Sequence, residues 1–146
     1  MPNIKPNLEV NSPIIRVVNK DGTQISPGLR GAYESNPSGF SIATGTTDYD
    51  VRSNQSNHYF TSTLRNVWYP EANAYYRTAY WGQIAFDQDI TIKFKYISGG
   101  SEVTGAGIPL KAEQSPYTFP ANALVTNILI TNNSGSTVNI SPLILQ

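Results

Sequence analysis

The chain has 146 residues, with 10 Lys+Arg against 10 Asp+Glu, one His, no Cys and 39% hydrophobic residues, a length that suits a single core. Asn, Ser and Thr together supply 41 residues, and side chains that compete with the helical backbone for hydrogen bonds exclude an all-α protein at that density. A net charge of zero with scattered Lys and Arg excludes nucleic acid as the main ligand, since that partner demands a basic surface, and the lack of Cys removes disulfides, Cys-ligated metals and thiol nucleophiles.

Residues 1–13 carry Pro2, Pro6 and Pro13 among Asn3, Asn7 and Asn11, a composition that predicts an extended N-terminal arm. They hold no apolar run of signal-peptide length, and no window of the chain reaches the length of a transmembrane helix. The expectation is a protein made in the cytoplasm, without a membrane span. Residues 14–146 are expected to form one β domain. Ile14-Ile15-Arg16-Val17-Val18 and Thr23-Gln24-Ile25, joined through Asp21-Gly22, read as a β-hairpin. Shorter strands follow at residues 29–33, 40–43 and 47–51, separated by the turn formers Asn36-Pro37-Ser38-Gly39 and Thr44-Gly45.

Residues 58–64, 67–69, 75–80 and 83–86 carry the aromatic and Thr content of strands, and Glu71-Ala72-Asn73-Ala74 could form a helical turn. The clearest alternation is Ile90-Thr91-Ile92-Lys93-Phe94-Lys95-Tyr96, which puts Ile90, Ile92, Phe94 and Tyr96 on a core face and Thr91, Lys93 and Lys95 on a wet one. Residues 98–107, rich in Gly and Ser around Glu102-Val103, read as a mobile connector between sheets. The apolar runs at 123–131 and 137–145 read as a hairpin closed by Asn132-Asn133-Ser134-Gly135-Ser136, with Pro142 marking an edge position or a bulge. About eight to ten short strands in two layers make an all-β, single-domain antiparallel β-sandwich.

Few residues offer catalytic chemistry. His58 is the only histidine, stands beside Tyr59 and Phe60, and has no motif around it that would supply a triad or a metal site. The pairs Asp48/Asp50 and Asp87/Asp89 have the i, i+2 spacing that puts two carboxylates on one side of a strand, which suits Ca²⁺. They also sit where strands begin and end, where solvated turn carboxylates are common. The reading is therefore non-enzymatic, with no cofactor and no metal. The feature that asks for an explanation lies between His58 and Phe86, where nine of the sixteen aromatic residues fall within 29 positions. Trp68-Tyr69, Tyr75-Tyr76 and Tyr80-Trp81 are adjacent pairs, so on a strand one ring of each must face away from the core. Trp68, Tyr69, Tyr75, Tyr76, Arg77, Tyr80 and Trp81 are thus the candidate interface or ligand-binding residues, a Tyr, Trp and Arg composition typical of binding hot spots.

The run Leu124-Val125-Thr126-Asn127-Ile128-Leu129-Ile130-Thr131-Asn132-Asn133-Ser134-Gly135-Ser136-Thr137-Val138-Asn139-Ile140, with the Asn/Ser/Thr-rich, Cys-free composition and the Pro-rich arm, resembles small β-sandwich structural proteins of bacteriophage virions, such as capsid vertex, decoration, fibre or baseplate modules. The resemblance is one of style and supplies no site residue. It implies a jelly-roll topology in preference to an immunoglobulin-like one, location in the virion, and assembly as a homo-oligomer with other virion proteins. The alternative is a carbohydrate-binding module or lectin-like receptor-binding domain, in which the same rings take a glycan with help from Asn66, Asn73, Gln83 and Arg77.

Overall fold

The computed structural model describes residues 34–119 and 124–146. The expected arm, the hairpin at 14–25 and the strand at 29–33 lie outside the described residues. In chain order the elements are β1 (Glu34–Ser35), β2 (Phe40–Ile42), β3 (Tyr49–Asp50), α1 (Val51–Asn54), β4 (Arg65–Tyr69), β5 (Ala74–Thr78), β6 (Gly82–Phe86), β7 (Ile90–Ser98), β8 (Ser101–Thr104), β9 (Ile108–Leu110), β10 (Tyr117–Thr118), β11 (Val125–Thr131) and β12 (Val138–Leu145). A single 3₁₀ turn, Ala112–Gln114, precedes β10. No described helix is long and apolar enough to cross a membrane.

Among the described residues all the strand pairings are antiparallel, and they build two five-stranded sheets and a separate two-stranded ribbon. In the first sheet β12 is flanked by β6 on one side and by β1 and β2 on the other, and β10 continues the sheet beyond β6. In the second, β11 lies between β3 and β7, while β8 and β9 share the far side of β7. Period-two alternation explains which residues meet between the layers. Ile84, Phe86, Val138, Ile140, Leu143 and Leu145 come from the first sheet, Ile90, Ile92, Ile128 and Ile130 from the second, and all belong to one buried cluster.

The strand expected at 90–96 is β7, and its alternation holds through Phe94, while Tyr96, expected on the core face, is half-buried and lies outside the core cluster. Ile90 and Ile92 are buried, Phe94 packs against the core, and Lys93 and Lys95 pair on the other face with Asp48 at 3.1 Å and Glu102 at 3.9 Å. Pro142 falls within a register shift between Ile140 and Leu143 on β12, so the bulge is the correct reading, since β12 is central in its sheet.

Three expectations are corrected. Residues 58–64 form a loop: Phe60 has φ of 60°, which breaks a strand, while Tyr59, Phe60 and Leu64 plug the core. The connector at 98–107 contains the strand β8, because Gly99 and Gly100 both take positive φ (60° and 82°) and close a tight hairpin with β7. The two C-terminal strands form no hairpin; β11 belongs to one sheet and β12 to the other. The connection between them turns on Asn132, which is fully buried with its side chain saturated. Its amide nitrogen donates to the Ile42 and Ser136 carbonyls, each at 2.9 Å, and its oxygen accepts from Ser134 N at 3.1 Å and Ser134 Oγ at 2.7 Å.

Candidate functional site

The aromatic cluster is split by the β4–β5 ribbon into two faces. Cross-strand partners share a face, and the register pairs Asn66 with Arg77 and Trp68 with Tyr75 on one side, and Val67 with Tyr76 and Tyr69 with Ala74 on the other. The turn between the strands is tight: Ala72 N donates to the Tyr69 carbonyl and Asn73 N to the Pro70 carbonyl, each at 3.1 Å, and Asn73 takes φ of 50°. The turn expected at 71–74 is therefore present, as a ribbon tip and not as a helix.

The inner face is partly covered. Tyr69 and Tyr76 meet edge-on at 5.9 Å between centroids, and burial pushes the Tyr69 phenol above its ordinary pKa, against the pull of the nearby Arg65 cation. The ribbon meets the second sheet at two places. The Glu71 carbonyl lies so close over Gly100 that a Cβ there would come within 2.8 Å of it. At the base, Ala79 and Val125 exchange two backbone hydrogen bonds of 2.8 Å.

A polar cluster joins α1, β8 and β11 beside Val125. Arg52 makes a two-pronged contact with Glu102, Nη1 to Oε2 at 2.7 Å and Nη2 to Oε1 at 2.9 Å, and its Nη1 also donates to the Thr126 carbonyl at 3.1 Å. The Thr126 hydroxyl donates to Glu102 as well. Burial acts to raise the Glu102 pKa, and the hydrogen bonds from Arg52 and Thr126 with the charges of Arg52 and Lys95 together outweigh it, so Glu102 lies below its ordinary value.

The outer face is uncovered. Trp68 is 44% exposed and Tyr75 61%, and they are the only exposed large hydrophobic side chains among the described residues. Their rings lie 4.9 Å apart at a tilt of 55°. Arg77 Nη1 donates to the Leu64 carbonyl at 3.0 Å, which fixes the guanidinium at the base of the ribbon. Alternation thus places one ring of each of the first two adjacent pairs outward. It fails for Tyr80-Trp81, both half-buried, because these residues lie in the bend between β5 and β6, where Tyr80 N and Trp81 N donate to the Gln146 carbonyl at 2.7 and 3.1 Å. Arg65 approaches the Tyr80 ring at 5.9 Å. Of the polar residues expected to assist, Asn66 and Arg77 join the rings, Asn73 sits in the tip, and Gln83 lies on β6 of the first sheet.

No family model, curated protein or solved structure matches the chain. The chemistry of its residues must carry the reading.

Both carboxylate pairs are occupied within the fold. Asp48 pairs with Lys93, and Asp50 caps α1 by accepting from Ser53 N at 2.8 Å while Asn127 donates to it at 2.9 Å. Asp87 accepts from Asn139 N at 2.7 Å and Nδ2 at 2.8 Å. Asp89 accepts from Ala112 N at 2.8 Å and faces Lys111 at 3.4 Å. Among the described residues no three His, Cys, Asp or Glu side chains converge as a metal site would require. His58 is exposed and lines an open cleft of about 580 Å³ with Glu34, Asn57, Thr61, Thr63 and Ile144. Glu34 is buried there and committed, accepting from Thr61 N at 3.0 and 3.1 Å and from the Thr61 hydroxyl.

Proposed function

We propose that the protein is a non-enzymatic virion structural protein, a jelly-roll building block of a capsid vertex, decoration or fibre that works by assembling with copies of itself and with other virion proteins. The observation that carries this reading is the strand order. β1 and β2 occupy one position on the edge of β12, and β8 and β9 one position on the edge of β7. With the separate β4–β5 ribbon set aside, numbering the eight positions along the chain gives first, eighth, third, sixth in one sheet and second, seventh, fourth, fifth in the other. That interleaving of early and late strands is how an eight-stranded jelly roll with its two Greek keys is wound. An immunoglobulin sandwich instead puts its first and second strands side by side.

The commitment of the Asp pairs and of Glu34 to caps, ion pairs and loop staples supports a role without catalysis. The mass in solution, measured by light scattering over a wide concentration range, tests the assembly. A closed oligomer that survives dilution is expected, since symmetric closure is the common outcome of self-association. A constant 16.0 kDa monomer refutes the self-assembling building block.

A further inference from the structure

The outer face of the ribbon presents two rings, an amide and a guanidinium on four neighbouring positions, Trp68, Tyr75, Asn66 and Arg77. Aromatic side chains offer about 150–250 Å² each, so exposures of 44% and 61% leave roughly 200 Å² of ring surface. A standard protein interface takes about 800 Å² from each partner. The ring pair alone is too small for one, and it is about the size of a single sugar ring.

We propose that this face is a glycan-binding site, in which a pyranose ring packs against Trp68 and Tyr75 while Asn66 and Arg77 hydrogen-bond its oxygens. With the rings 4.9 Å apart and 55° between their planes, a pyranose stacks flat on one and meets the other with its edge, and C–H bonds on one face of a pyranose suit the negative face of an aromatic ring. Asn66 and Arg77 are the next cross-strand pair toward the base, one same-face step of about 7 Å along the ribbon. A guanidinium has five N–H donors; the bond to the Leu64 carbonyl uses one and leaves others for sugar oxygens. None of the four residues is acidic, and Glu71 sits in the tip, so both neutral hydroxyls and a sugar carboxylate are acceptable partners for Arg77. The platform is preorganised, because the inner face is anchored at Gly100 and Val125.

The site does not rest on the assembly reading, and the test separates the two. In a Trp81→Phe background Trp68 is the only indole, and its emission is followed while chitotriose, maltotriose or trigalacturonate is added up to about 10 mM, with calorimetry in parallel. Binding of at least one is expected, weakened by about tenfold or more in Trp68→Ala and in Tyr75→Ala. Both variants should stay folded with only a small drop in melting temperature, because the rings are largely exposed and meet only each other across the strands. Arg77→Gln should weaken trigalacturonate more than the neutral sugars if the bound oxygen is a carboxylate, and all three alike if it is a hydroxyl. Silence with all three sugars, or binding that survives loss of both rings, overturns the site. Dissociation of an oligomer in Trp68→Ala without any sugar response also overturns it, and assigns the rings to a protein contact with the assembly reading intact.

Discussion

Replacing Arg52 with alanine should cost about 2 kcal/mol and loosen the support on which the ribbon lies. Arg52 ties α1 to β8 across β11, with two charge-assisted contacts to Glu102 at 2.7 and 2.9 Å and a third bond to the Thr126 carbonyl. Breaking a fully buried pair costs about 3–5 kcal/mol, and an exposed pair contributes about 0.2–1 kcal/mol. The side chains here are 34% and 16% exposed, so solvent screens part of the attraction. Lys95 at 3.9 Å remains to offset some of the stranded Glu102 charge. The intermediate figure follows. For a urea slope of about 2 kcal/mol/M it lowers the unfolding midpoint by about 1 M. Glu102→Gln keeps the side-chain volume and the Thr126 partner, so a double-mutant cycle isolates the ionic part of the contact. Amide exchange should speed up in β5, whose end is tied through Ala79 to Val125, next to the Thr126 carbonyl that Arg52 holds. A loss below about 0.5 kcal/mol would show that the pair is no more than a surface contact. Unchanged exchange in the ribbon would refute its role as a support.

Asn132→Ala should cost about 2 kcal/mol in urea unfolding, because it strands the buried Ile42 carbonyl, whereas the exposed Ser136 carbonyl keeps the Ser134 hydroxyl as a donor; a cost under about 0.5 kcal/mol would mean that water enters and replaces the amide. Acid should destabilise the fold. Glu102 lies below its ordinary 4.5 and Asp50, Asp87 and Asp89 below 3.8, each held down in the folded protein by hydrogen bonds and neighbouring cations or dipoles. A depressed carboxylate contributes stability that is present above its unfolded pKa and lost as pH falls through the folded one. The melting temperature should therefore hold from neutral pH down to about 5 and fall steadily below about 4; a flat profile to pH 3 would refute the carboxylate network.

Local pattern determined much of this protein. The Asn, Ser and Thr content set the all-β class, the alternation in residues 90–96 set the two faces of β7, and adjacency alone placed one ring of Trp68-Tyr69 and one of Tyr75-Tyr76 outward. These are properties of successive side chains, which the two-residue period of a strand expresses directly. Tertiary structure decided which outward ring stays bare. Trp68 and Tyr75 are open because their opposite face, with Tyr69 and Tyr76, is the one laid on the second sheet. It also made Glu102 a strand residue facing Arg52, 50 positions away, turned residues 58–64 into a loop that buries Tyr59, Phe60 and Leu64, and sent β11 and β12 to different sheets. Period and turn residues report which side of a strand is apolar, and they carry no information on which strand will lie beside it. That choice is made by contacts such as Asn132 with Ile42, 90 residues apart, which exist only once the two layers have closed on a common core.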